Sequence, residues 1–177
     1  MLNTFECIWV HLCALVSTTP RPHDPTTPQP HYLRFMDKKD FIVLTISTVV
    51  NAPIERVWKM FNSPEHITNW YFASPDWCAP SARSDFREGE TAMVRMESRD
   101  GSMGFDFEWF FDRIVLNERV EFHLADTRRV EVIFEETNEG VKITESFDAE
   151  TENTIELQQG GWQAILDNFK AYAEAND

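Results

Sequence analysis

The chain is short of cysteine, of basic residues and of long apolar runs, and each shortage removes a class of protein. Cys7, Cys13 and Cys78 are the three cysteines in 177 residues, with neither a C-x-x-C pair nor the Cys/His spacing of a metal site. An odd count without such spacing points to reduced thiols and a cytoplasmic protein, not to a disulfide framework. Lys and Arg number 16 against 30 Asp and Glu, giving a net charge of −14 and a pI near 4.7. A nucleic-acid backbone or an anionic membrane surface would be repelled, so neither is an expected partner. The apolar stretch FECIWVHLCALV is 12 residues long, too short to span a bilayer. It carries Glu6 and His11 with no basic residue ahead of it, which makes a poor signal peptide. A phosphate-cradling glycine loop is missing too: Gly160-Gly161 has no following Lys or Ser/Thr and reads as a helix start.

What is present is a globular composition, 42% apolar and 26% charged. One domain of this length buries roughly two thirds of its unfolded-chain surface, enough for a real core. The ends differ. Residues 18–30, TTPRPHDPTTPQP, hold five of the nine prolines and cannot form helix or sheet. Residues 1–36 are therefore expected to be a disordered or spurious extension with a proline-rich linker, Met36 being the biological start. Residues 37–177 form the domain. A mature terminus well before Met36, found by mass spectrometry of the native protein, would overturn that expectation.

FIVLTISTVV is β-branched and apolar, a strand ending at Asn51. APIERVWKMF sets Ile54, Val57, Trp58 and Phe61 on one helical stripe with Pro53 at its start. SPEHITNWY adds a short helix with Ser63 as N-cap and Pro64 at the first position. Strands are expected near residues 77–87, 90–99, 103–115, 118–125, 128–137 and 140–148. Their breaks fall at Glu88-Gly89, Asp100-Gly101, Leu116-Asn117, Ala125-Asp126 and Glu139-Gly140. GGWQAILDNFKAYAE closes the chain as a helix with Trp162, Ile165, Leu166 and Phe169 on one face. This order predicts an α+β fold: a curved antiparallel sheet of six to seven strands around the long C-terminal helix, with two short helices after the first strand. A cavity can remain where sheet and helix splay apart.

The stretch SMGFDFEWFF sets Met103, Phe105, Phe107, Trp109 and Phe111 on one face of a strand. Burying five such side chains contributes on the order of 8–15 kcal/mol gross, comparable to the whole net stability of a domain, about 5–15 kcal/mol. Core packing alone could account for the stripe. Phe105 and Phe107 read first as core, while for Met103, Trp109 and Phe111 lining an apolar cavity would account for the pattern equally, since methionine and large aromatics adapt to varied ligands.

Catalytic groups are harder to find. His11, His23 and His31 lie in the extension. His66 and His123 have no neighbouring Ser or Cys that spells a nucleophile and base. Asp106 and Glu108 alternate out of phase with the aromatic stripe and read as a solvated face, and Arg128-Arg129 reads as a turn and strand start. No catalytic, metal or cofactor site is expected.

APIERVWKMFNSPEHITNWY, FREGETAMVRMESRDGSMGFDFE, IVLNERVEFHL, RRVEVIFEETNEGVKITESFDAE and QQGGWQAILDNF together resemble the Hsp90-ATPase-activator-homologue family. That family belongs to the START/Bet v 1-like superfamily, also called SRPBCC. The resemblance covers residues from about 41 to 175. It implies a helix-grip fold with a hydrophobic cavity between sheet and C-terminal helix, in a superfamily whose members bind lipids, sterols or polyketides and include some cyclases. Trp109 departs from the small glycine usual in related sequences, and its indole either fills the cavity or lines it. The function expected is binding of a small hydrophobic or amphipathic ligand without catalysis. The alternatives are an Hsp90 or chaperone-accessory interaction protein and a polyketide-cyclase-like enzyme. Cavity candidates are Trp70, Phe72, Trp77, Met93, Met103, Phe105, Phe107, Trp109, Phe111, Phe122, Trp162, Ile165 and Phe169, with Tyr71 beside them at the cavity mouth.

Overall fold

The computed structural model describes residues 41–176; the expectations for the N-terminal extension and for Met36 lie outside the described residues. Strand β1 (Val43–Val50) is followed by helix α1 (Ile54–Asn62) and the single turn α2 (Pro64–Ile67). Six strands follow, β2 (Trp77–Ser84), β3 (Thr91–Ser98), β4 (Gly104–Val115), β5 (Arg119–Leu124), β6 (Arg129–Thr137) and β7 (Gly140–Asp148), and then helix α3 (Ile155–Ala175). All neighbours pair antiparallel in the order β1-β7-β6-β5-β4-β3-β2. The result is a seven-stranded curled half-barrel around α3, an α+β helix-grip fold.

Short hairpins dictate this order, and their turns need residues that tolerate positive φ. Gly89, Gly101, Asn117 and Gly140 supply it, and Thr127 takes positive φ although β-branched residues disfavour it. Curl comes from register shifts between Cys78 and Ser81 on β2 and between Phe111 and Arg113 on β4, because a bulge bends its strand and increases the local twist. The second shift ends the period-2 alternation of β4, and Asp112 and Arg113 both face outward, exposed.

The concave face is continuous across the sheet. Leu44 and Ile46, Val141, Ile143 and Phe147, Val130, Val132 and Phe134, and Val94 and Met96 all point inward and are buried. The convex face carries ion pairs instead, among them Arg95 with Glu97 and Asp106, and Arg119 with Glu121 and Glu131.

Helix α3 begins five residues before the expected Gly160-Gly161 start. Thr154 is its N-cap, the hydroxyl accepting from the Leu157 amide at 3.3 Å. Buried Gln158 ties the first turn to the preceding loop, accepting from the Glu150 amide at 2.9 Å and donating to the Asn153 carbonyl at 2.9 Å. These polar anchors outweigh the weak helix propensity of the glycine pair, and Gly161 lies buried inside the helix. Among the described residues no helix is long and apolar enough to cross a membrane.

Candidate functional site

The aromatic stripe of β4 faces α3 and the segment after α2. Phe105, Phe107, Trp109 and Phe111 are all buried, and their rings run on from one to the next: Phe107 to Trp109 at 5.9 Å, Trp109 to Phe111 at 6.3 Å, and Trp109 to Phe122 of β5 at 5.7 Å. The α2 segment covers them. Trp70 donates from its indole to the Met60 carbonyl at 3.2 Å and packs on Phe169 at 4.8 Å. Tyr71 is half-buried as a residue, but its ring lies inward, stacked on Trp109 at 6.0 Å and 22°. Pro64 at the first helical position and the hydrogen bond from the Ile67 amide to the Ser63 carbonyl fix the single turn that aims both rings at the sheet.

Between these walls lies a cavity of about 30 Å³, room for a water or two. Trp70, Trp109, Phe111 and Phe122, all expected there, line it together with Tyr71. Phe61 and Asn62 of α1, Ile67, Val120 and Glu145 complete the lining. The Trp109 indole therefore fills much of the interior and also forms a wall of what remains.

The other expected residues sit elsewhere in the core. Trp77 packs on Phe105 at 5.9 Å, and Phe107 meets Trp162 at 6.3 Å. Trp162 stacks on Phe147 at 4.4 Å, while Ile165 is buried on α3. Phe169 supports Trp70 from behind. Met103 and Phe72 are partly buried at the core's margin, the Phe72 ring lying under the Arg99 guanidinium at 5.9 Å. Met93 is corrected outright: it alternates with buried Ala92 and Val94 and pairs across strands with Arg83 and Glu108 on the convex face. Met96 holds the inward position on that strand. His123 faces outward as expected, its Nδ1 2.9 Å from Asp112 and its ring stacked on Phe110. Arg128 and Arg129 are held by Asp126 and Asp148 at 2.7 and 3.1 Å. Cys78 is half-buried and donates from Sγ to the Glu97 carbonyl.

Glu145 is the residue that sequence reasoning missed. It is 7% exposed and takes an inward place on β7 between Ile143 and Phe147, with Ile46 and Val132 as its partners on the flanking strands. Among the described residues no hydrogen bond or ion pair reaches its carboxyl. Burial alone pushes its pKa from 4.5 up to about 8, because a charge without a partner is disfavoured in an apolar surround. Tyr71 is pushed well above the usual phenol range, first by its own burial and then by the negative field of Glu145. The signal was legible: in GVKITESFD the apolar phase is Val141, Ile143, Phe147, and Glu145 falls in that phase. A buried carboxyl with a raised pKa beside a cavity is a candidate for a functional site.

A second, more open cavity of about 280 Å³ involves Asp112, Glu121, Arg129, Glu131 and Asp148. Its charges are already paired with one another or with Arg119 and His123. No cluster of metal-ligating side chains occurs among the described residues.

No curated protein matches the chain. Among solved structures it is similar to the AHSA1-like protein from Aeromonas hydrophila, with 41% identity over 76% of this chain and 93% of that one and a TM-score of 0.73. It is also similar to a protein from Cytophaga hutchinsonii, with 44% identity over 77% and 93% and a TM-score of 0.64. A Nitrosomonas europaea protein shares the fold alone, at 17% identity over 75% and 94% with a TM-score of 0.65. The family model described as Activator of Hsp90 ATPase homolog 1-like protein matches residues 51–174, and the chain belongs to that family.

Proposed function

We propose that the protein binds a small amphipathic molecule between the sheet and helix α3, with the ligand's polar end at Glu145 and Tyr71 and its apolar body among Trp70, Trp109 and Phe122. The observation that carries this reading is Glu145 itself, a carboxyl without a partner at the floor of an aromatic cavity. A group of that kind costs several kcal/mol to bury, and a ligand that hydrogen-bonds to it recovers part of that cost. A cavity of about 30 Å³ admits only the polar head, so the body enters as the α2 segment swings outward. Two polar contacts latch that segment to α3: His66 Nδ1 to the Tyr172 hydroxyl at 2.8 Å, and the Asn168 amide donating to the Phe72 carbonyl.

Native mass spectrometry of the full chain purified from its own host tests the reading. A stoichiometric adduct lost on denaturation supports it, and a bare mass together with no response to any added small molecule overturns it. Glu145 also favours a second reading, a cyclase-like enzyme, since it supplies the titratable group such chemistry requires. Turnover abolished in Glu145→Gln with ligand binding retained would establish that reading in place of simple binding.

A further inference from the structure

We infer that the cavity is selective for organic cations, binding an apolar amine whose ammonium group sits at the Glu145 carboxyl against the Tyr71 and Trp109 rings. This rests on the ligand-binding reading above and names its chemical class.

The lining holds one carboxyl and no Lys, Arg or His. A ligand carboxylate would bring a negative charge into a largely apolar space whose lining holds no cation to pair with it, which is strongly unfavourable. A neutral alcohol or ketone gains one hydrogen bond from the protonated carboxyl. An ammonium gains more: a countercharge in low dielectric, and the faces of stacked aromatic rings, whose quadrupoles attract cations. The Tyr71 and Trp109 rings, stacked near parallel, both line the cavity. Glu145 meets apolar neighbours from β1 and β6, Ile46 and Val132. From the α1 and α2 side Asn62 and Tyr71 also line the cavity, so Tyr71 is the other titratable group there. Among the described residues that line the cavity there is no Lys, Arg or His to compete for the carboxyl. The size agrees, because a cavity of about 30 Å³ suits a group as large as a water or an ammonium. The net charge of −14 raises the local concentration of cations around the molecule.

Entry of the ammonium drives the carboxyl proton out to solvent, which sets the sign of the pH dependence. Below the Glu145 pKa of about 8 one proton is released per amine bound, so affinity rises by up to about tenfold per pH unit as pH increases toward that value. A neutral ligand that accepts from the protonated carboxyl binds with an affinity flat well below that value and falling as pH rises through it.

The test uses the full chain and three probes built on one ring, benzylamine, benzyl alcohol and benzoate. Each is titrated from pH 6 to pH 8 while the Trp109 indole N–H resonance is followed by NMR. Benzylamine is expected to bind at least tenfold more tightly than benzyl alcohol at pH 7.5, with affinity rising with pH, and benzoate is expected to leave Trp109 unmoved. Glu145→Gln should abolish the preference for the amine while alcohol binding remains. Equal binding of amine and alcohol, or an amine affinity flat with pH in the wild-type chain, overturns the cation assignment alone. Silence from all three probes overturns the cation assignment, and the binding reading falls with it only if native mass spectrometry also gives a bare mass.

Discussion

Glu145 ties stability to pH in a direction opposite to that of most carboxylates. In the unfolded chain it ionises near 4.5 and in the folded chain near 8, so between those values the folded state holds a proton that the unfolded state has released. Each pH unit upward through that window costs the fold about 1.4 kcal/mol, and the whole shift is on the order of 5 kcal/mol. The contribution is fully present below pH 4.5 and lost as pH rises through 8. Thermal melts of the wild type should therefore fall from pH 5 to pH 8, and Glu145→Gln, which cannot ionise, should flatten that slope. Trp109 is a second residue with a clear expectation. Being 6% exposed and in contact with Tyr71, Phe107, Phe111 and Phe122, it should cost about 3–5 kcal/mol when truncated to alanine. Urea denaturation measures that loss, and stronger fluorescence of an apolar dye with Trp109→Ala would report the enlarged cavity.

At the scale of elements, the β6–β7 hairpin and the α2 latch have different tolerances. Gly140 has φ +125°, and a Cβ there would lie 2.2 Å from the Val50 carbonyl oxygen. The Val50–Asn51 backbone it would meet leaves no room to yield, and other residues rarely adopt this conformation. Gly140→Ala should destabilise by more than about 2 kcal/mol, read as a lowered urea midpoint. The α2 segment is held to α3 by the Tyr172 and Asn168 contacts together with the packing of Trp70 on Phe169. Removing both polar contacts with Tyr172→Phe and Asn168→Ala should speed amide hydrogen exchange in residues 66–72 and leave β4 to β7 unchanged. Uniform acceleration across the sheet would show that the segment does not open separately.

For the whole molecule, the excess of 14 negative charges sets up self-repulsion in the compact state. Modest salt screens it, since the Debye length falls to about 8 Å at physiological ionic strength. The melting temperature should rise between low salt and about 0.3 M sodium chloride; a flat response would mean that the convex-face ion pairs already balance the field.

Strand existence, hairpin order and the helix-grip architecture were legible because they depend on local features: period-2 alternation, turn residues able to take positive φ, and one long apolar helix to cover one apolar face. Even the misplaced α3 start followed from a local rule, overridden when Gln158 found backbone partners in the preceding loop. The candidate site was legible only in outline. Alternation on β4 announces that Phe105, Phe107, Trp109 and Phe111 share a face, but not which of them meets empty space, since that depends on how α2 and α3 lie across the sheet. Met93 shows how a soft apolar residue misleads when its phase is ignored, and Glu145 shows the same for a charged one. By itself, then, the amino-acid order determined the elements, their pairing and the apolar face, all properties of short segments and their neighbours. Tertiary structure alone decided that Tyr71, Trp109 and Glu145 line one cavity, because a buried carboxyl without a partner arises only when distant segments exclude water from the same small volume.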